Sequence, residues 1–429
     1  MAPSQDTKFK EIKRFQKDND LCMKCGFCMS GCPVYKEELV ESSVARGKNA
    51  LVKGLLKGQV KFTPELAERL DKCTLCKTCT ASCPAGVDIP AVVIAARADQ
   101  FRKRGTAFPY NILYRRILPR RVLFGRMVKA AGMAQKAFFP KGEGTLRHLP
   151  LFLSGMGKGR RIPQVASKFL RQMVPVVNRP PEGTAIKVKA AYMMGCMTDF
   201  VFPERGKKII NFLTRNGVEV IVPREQGCCG APVYMAAGDF ETGRKMADTN
   251  VEAFKDVEYV IVDCATCGSA MKDYVKYLAD NPEREKAYRE LAKKLFHITA
   301  FLVDVLKLPA SVYKAVPEVR GKTVTWHDPC HLNRHLGVRE QPRIILKSVP
   351  EIKYVEMPEA DRCCGMAGSF SLHHYELSSK IADRKLKSIL ETGADIVVSG
   401  CPGCEIQLMD TIARHHLPIK VMHIMDLLE

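Results

Sequence analysis

Two hydrophobic patterns divide the chain. From about residue 185 onward, short apolar runs of strand length alternate with longer helical periods. The runs AIKVKAAYMMGC, VEVIVPREQGCC and VEYVIVDCATC predict strands that lead into Cys196, into Cys228 and Cys229, and into Cys264 and Cys267. KTVTWHDPC, IKYVEMPEADRCC and ADIVVSGCPGC repeat that order toward Cys330, toward Cys363 and Cys364, and toward Cys401 and Cys404. Helices are predicted after the paired cysteines, in GDFETGRKMADTNVEAFKD and HHYELSSKIADRKLKSILETG. Corresponding cysteines stand 134, 135 or 137 residues apart, which identifies an internal duplication of an α/β unit. Before residue 100 the pattern is helical instead. ESSVARGKNALVKGLLKGQVKFTPELAERLDK predicts two helices, with Thr63-Pro64 as the cap and first turn of the second.

The cysteines change this picture most. All eighteen fall in short motifs. CMKCGFCMSGCP places Cys22, Cys25, Cys28 and Cys32 before Pro33, and CTLCKTCTASCP places Cys73, Cys76, Cys79 and Cys83 before Pro84. Both match C-x2-C-x2-C-x3-C-P, the bacterial run for a [4Fe–4S] cluster, whose last cysteine usually ligates the other cluster. One cubane is therefore assigned to Cys22, Cys25, Cys28 and Cys83, and a second to Cys73, Cys76, Cys79 and Cys32. A pair of zinc sites is the competing reading, and two complete four-cysteine runs with their prolines count against it. In the duplicated region, Cys228-Cys229 and Cys363-Cys364 are adjacent, and neighbouring Cα atoms lie about 3.8 Å apart, too close for an unstrained disulfide. Both thiols of each pair are expected to point at a third object at the carboxyl ends of the strands, where open α/β sheets build their sites. Gly230 and Gly365 are expected to let the backbone pass close to a bulky cofactor.

Composition adds one local feature. Of the net charge of +21, residues 101–180 supply +17, from 18 Lys and Arg against the single acid Glu143. Arg115, Arg116, Arg120, Arg121 and Arg126 alternate with Leu113, Ile117, Leu118, Val122, Leu123 and Phe124, which predicts an amphipathic basic surface interrupted by Pro119. A solvated face, a dock for anionic lipid or an acidic partner, and a nucleic-acid patch compete here; no nucleic-acid module accompanies the charge. Pro and Gly at 140–144 and 155–163 predict loops, and GMGKGRR lacks the spacing of a phosphate loop. No signal-peptide core and no membrane-length apolar run is present, so a cytoplasmic protein, peripheral at most to the inner face of the membrane, is expected.

With these residues in view, C-x31-C-C-x34-C-x2-C and C-x32-C-C-x36-C-x2-C resemble the cysteine-rich CCG domains of heterodisulfide reductases and of glycolate and lactate oxidase iron–sulfur subunits. RGKNALVKGLLKG, CTLCKTCTASCPAGVDIP and NILYRRILPRR are most similar to the glycolate oxidase iron–sulfur branch. The expected fold is multidomain α+β. A helical two-cluster ferredoxin-like domain (1–100) and a basic connector (101–184) precede a duplicated α/β CCG domain (185–310 and 311–429).

The resemblance implies that Cys196, Cys228, Cys229, Cys264 and Cys267 form one further site, and Cys330, Cys363, Cys364, Cys401 and Cys404 another. One or two additional iron–sulfur clusters would sit there, with noncubane geometry open because five thiols exceed a cubane's four. Zinc is the competing occupant. Around Cys330 the chain offers His327 and His331, where the first half reads MMGCMTDF. Imidazole titrates near neutral pH, so these two are candidate catalytic residues, against a plain loop-bonding role. On this ground the C-terminal site is expected to be the more reactive.

The implied function is an iron–sulfur electron-transfer subunit of a flavin-dependent glycolate or D-lactate dehydrogenase. FAD in a partner subunit would take hydride, and electrons would pass toward quinone or another carrier. The alternative is a heterodisulfide-reductase-like subunit of a membrane respiratory complex with a cytochrome partner.

Overall fold

The computed structural model describes residues 9–105, 108, 110–138 and 163–429, so the loops expected at 140–144 and 155–162 lie outside it. The duplicated region forms two sheets. The first contains β1 (Val177–Asn178), β2 (Val188–Met193), β3 (Val218–Ile221), β4 (Tyr259–Val262) and β5 (Leu295–His297) in the order β1-β3-β2-β4-β5. The second contains β6 (Thr323–Trp326), β7 (Lys353–Val355), β8 (Ile396–Ser399) and β9 (Lys420–His423) in the order β7-β6-β8-β9. Only the edge strand β1 is antiparallel. Without β1 the two orders are identical, so the duplication seen in the cysteine spacing extends to topology.

The first strand of each unit is central. Ala190 pairs with Val220 on one side and Tyr259 on the other, and Val324 pairs with Tyr354 and Ile396. The next strands along the chain thus lie on opposite sides of it, and all three end at one edge, above the switch point. Helices cover both faces, which is why Val260–Val262 and Ile396–Val398 read as unbroken apolar runs and are buried.

The N-terminal region is helical, as its pattern predicts. Helix α1 (Ala45–Leu56), α2 (Pro64–Asp71) and α3 (Ile89–Arg104) surround the two cysteine runs. Thr63 caps α2, its hydroxyl accepting the Leu66 N–H at 3.2 Å. Helix α3 is buried all round from Ile89 to Asp99 because it is the hub. Asp99 accepts the Glu11 and Ile12 N–H groups at 3.0 and 2.8 Å. Arg97 donates to the carbonyls of Leu70, Cys73 and Met235, tying the head to the first sheet unit.

The connector is partly structural. Leu113–Ile117 and helix α4 (Arg121–Phe138) flank Pro119. Arg121 pairs with the buried Asp199 at 2.8 Å, and Arg115 with Asp239 at 3.2 Å. Ile117 and Leu118 are buried, whereas Arg116, Arg120, Arg126, Val122 and Leu123 are exposed. The expected basic stripe is therefore divided between an internal clamp and an open face.

The two sheet units meet around Arg205, at the start of helix α5 (Pro203–Arg215). Its guanidinium holds Glu405 at 2.7 Å and Asp426 at 2.6 Å and stacks over Phe202. Both carboxylates keep it charged against the cost of burial.

Candidate metal centres

The two cysteine runs use the same backbone device. Each C-x2-C loop curls through left-handed residues at equivalent places, Lys24 and Gly26 in the first run and Leu75 and Lys77 in the second. Three of these four are not glycine, a strained choice of the kind found where a loop must wrap a fixed object. One cavity is lined by Cys22, Cys25, Cys28 and Cys83, the other by Cys32, Cys73, Cys76 and Cys79. The fourth cysteine of each run thus stands with the first three of the other. Cys79 also reaches the wall of the first cavity.

The donor set fits iron–sulfur chemistry. Each cavity offers its four assigned thiols, cationic side chains and no carboxylate among the described residues, with Cys79 shared between the two walls. Burial pushes the Cys32 thiol up to about 11 and the Cys79 thiol well above its usual range, so thiolates here need a metal to stabilise them.

In the duplicated region each cysteine sits where its strand ends. Cys196 opens a short helix after β2, Cys264 caps helix α6 (Ala265–Lys272) after β4, and Cys401 caps helix α7 (Pro402–Arg414) after β8. Thiol contacts run from Cys228 to Cys229, Cys267 and Cys264 in the first unit. In the second they run from Cys330 to Cys363, Cys364, Cys404 and Cys401. Cys264 and Cys401 also influence each other's ionisation across the junction between units, where the Ala265 N–H donates to the Gly400 carbonyl at 3.3 Å and Thr266 reaches Cys401 at 3.6 Å. The two groups, expected from sequence as two sites, are thus neighbours across that junction. Cys196 joins the first group electrostatically beside Cys229. At the other end Cys76 of the head lies close enough to Cys330 to raise its cost of ionisation, and Cys363 raises that of Cys76.

The two glycines also meet a local requirement. Gly230 and Gly365 both have positive φ, +76° and +88°. A Cβ on Gly365 would stand 2.5 Å from the Ser378 carbonyl, and one on Gly230 would make ordinary contacts at 3.5 Å or more. Their first requirement is the left-handed turn, and the close neighbour of Gly365 is a helix backbone.

His327 is fully buried, with neither ring nitrogen hydrogen-bonded, and offers a nitrogen within 4.8 Å of the sulfurs of Cys364 and Cys404. His331 meets the Thr266 hydroxyl at 3.0 Å, and Thr266 reaches Cys401 at 3.6 Å. Burial pushes both imidazoles down to about 3, which holds them neutral at pH 7. This differs from the near-neutral titration expected from their residue type, and desolvation is the cause.

Sequence reasoning missed two further histidines. His297 ends β5 and reaches the Gly400 carbonyl at 3.0 Å, just before Cys401. His423 ends β9 and reaches the Asp263 carbonyl at 2.9 Å, just before Cys264. Each Nδ1 accepts the N–H two residues on, so each Nε2 carries the proton and donates across the junction. Each unit thus holds the other's C-x2-C loop. The signal was present as FHIT and MHIM at matching places in the repeat.

Comparison with known proteins agrees with this geometry. Residues 18–87 match the 4Fe-4S dicluster domain, and residues 190–272 and 324–409 match the CCG cysteine-rich domain. The chain is 30% identical to a probable glycolate oxidase iron–sulfur subunit of Bacillus subtilis, over 97% of this chain and 95% of that one. It is 28% identical to an uncharacterized iron–sulfur protein of Methanococcus maripaludis, over 98% and 74%. Lactate utilization protein A of Oceanobacillus iheyensis is 35% identical over 56% of this chain and 96% of its own length. A solved structure of a hypothetical protein from Helicobacter pylori shares the fold alone, with TM-score 0.50 at 10% identity, over 98% of this chain and 71% of that one. The dicluster head and the paired CCG domains make this a carrier of multiple iron–sulfur clusters. The chain belongs to the family of CCG-domain iron–sulfur proteins typified by the glycolate oxidase iron–sulfur subunit.

Proposed function

We propose that this chain is the electron-transfer subunit of a flavin-dependent 2-hydroxy-acid dehydrogenase acting on glycolate or D-lactate. The ligand sets are those of the two head cavities and of the ten-cysteine array. When bound, the clusters supply one-electron carriage between a two-electron flavin and an acceptor such as quinone. The observation that carries the reading is the unbroken succession of cysteines from the exposed Cys25, through Cys76, to Cys363, Cys401 and Cys264. Relatives named for glycolate oxidation and lactate utilization support the substrate class.

No helix among the described residues is long and apolar enough to cross a membrane. The open face of α4, with Arg126, Val122, Leu123 and Met127 exposed and Arg120 just before it, is the part that would rest on an anionic membrane surface. His327 beside Cys364 and Cys404, and His331 on Thr266, border the second CCG group as neutral imidazoles, so a greater reactivity there would rest on their nearness to the thiols and not on their titration.

The test is reconstitution with an FAD-containing 2-hydroxy-acid oxidase subunit from the same cell. Glycolate or D-lactate should reduce a quinone analogue only when both proteins are present. An equal rate without this chain would remove the proposal.

One observation favours the disulfide-reducing alternative. A cleft between the head and the second CCG unit reaches Cys363, lined by Arg334, Arg362 and Arg384 with their ion-pair partners Asp361, Glu359 and Glu37. Disulfide-dependent reoxidation of the reduced protein, lost in Cys363→Ser, would move the assignment to that reading.

A further inference from the structure

The sequence ARGK at 45–48 opens α1 between the two head cavities, and its last three residues divide the work. Gly47 is where the turn Glu41–Ser43 packs on the helix, since a Cβ there would stand 1.9 Å from the Glu41 carbonyl. That approach fixes the helix against both cavities. Arg46 lines the first one, donates to the Lys24 carbonyl at 3.1 Å and pairs with Glu41 at 2.6 Å. Its side chain is 28% exposed, so carboxylate and solvent both reduce its field at the site.

Lys48 lines the second cavity and differs on every count. It is 2% exposed, its ammonium donates to the Ser43 carbonyl, and no carboxylate among the described residues lies within ion-pair distance. The other cations on that wall are compromised. Lys72 is held by Glu38 at 2.8 Å and Glu68 at 2.9 Å, and Lys77 is partly exposed. A buried ammonium with no counter-carboxylate is costly unless an anion faces it, and Cys32 and Cys73 are the groups that favour its charge most.

We propose that Lys48 sets the reduction potential of the cluster held by Cys32, Cys73, Cys76 and Cys79 above that of the cluster held by Cys22, Cys25, Cys28 and Cys83. A one-electron reduction adds a negative charge to either cavity. In the second cavity a buried ammonium without a direct ion pair, with Glu38 acting on it only at longer range, stabilises that charge in a low-dielectric wall, and in the first a paired, wet guanidinium stabilises it less. The inference rests on the ligand sets proposed above and goes beyond them in ordering the two couples. The higher couple lies on the side of Cys76, next to the CCG array.

Redox-titrated EPR on anaerobically purified protein tests it. Two cubane couples are expected. Lys48→Met should shift the upper couple downward and leave the lower one in place, while Lys48→Arg keeps the wild-type values. Arg46→Met should move the lower couple by less than Lys48→Met moves the upper. In the unmodified protein, added salt should move the lower couple and spare the upper, and this series decides the matter even if Lys48→Met loses iron. An upper couple unmoved by Lys48→Met, or an upper couple that is the salt-sensitive one, would overturn the role of Lys48. Absence of two cubane couples from the wild type would refute the ligand sets themselves.

Discussion

The two CCG units share strand order, cysteine order and a closing histidine, yet their polar residues serve different neighbours. In the first unit Asp199, three residues beyond Cys196, is fully buried and clamps Arg121 and Arg171 of the connector at 2.8 and 2.9 Å. In the second, the residues around Cys330 face the head. His335 meets the Leu75 carbonyl at 3.0 Å, beside Cys76, and Arg384 pairs with Glu37 at 2.7 Å. Asp328 is taken up internally by Trp326 and Arg343. One duplicated frame thus supports two jobs, holding the connector and receiving the ferredoxin-like head. The difference lies in helical segments outside the sheets, where a side chain can change partner without disturbing the strands. The units nevertheless depend on each other, because Cys264 and Cys401 influence each other only across their junction.

The comparison can be broken most severely at that junction. Arg205→Met leaves Glu405 buried without its partner and should cost about 3–5 kcal/mol, read as a fall in urea midpoint. The two glycines sharpen the contrast between units. Gly365→Ala combines a left-handed backbone with a clash on the Ser378 carbonyl and should cost about 3 kcal/mol. Gly230→Ala carries the backbone cost alone, about 1–2 kcal/mol, and equal losses would show that the clash relaxes freely.

Smaller and symmetrical effects are expected from the crossed histidines. His297→Ala and His423→Ala each leave a junction carbonyl without its donor, for about 1–3 kcal/mol apiece. A large effect from one and none from the other would contradict reciprocal bracing. The pH dependence is smaller still. Burial holds His297 down to about 4, whereas the unfolded chain takes up that proton near 6.5. Between these values the unfolded state binds more protons, so stability is lost as pH falls from 6.5 through 4. The difference between urea midpoints at pH 7 and pH 5 should narrow in His297→Gln.

Local rules carried the sequence reading where one segment decides its own structure. Thr63-Pro64 caps a helix because hydroxyl and imino ring act on the next turn. The strands before Cys264 and Cys401 announce themselves as apolar runs because both faces are covered. Gathering by distant segments was not legible. Nothing near Cys264 indicates that Cys401 will lie beside it, and Arg205 meets Glu405 and Asp426 some 200 and 221 positions away. Lys48 reads as one more cation on an amphipathic helix, and only the turn packed on Gly47 shows it to be buried. His327 and His331 were found by motif, but the burial that keeps them neutral is a tertiary property.

The central claim is that the ten CCG cysteines form one metal-bearing array, joined at Cys264 and Cys401 and reached by the head through Cys76. An iron and acid-labile sulfide count with redox-titrated EPR on anaerobically prepared protein tests it most directly. The account predicts about 16 irons, four for each of four tetranuclear clusters, with magnetic coupling between the CCG signals. About 8 irons, with only two ferredoxin-type signals, would contradict it and confine the clusters to the head.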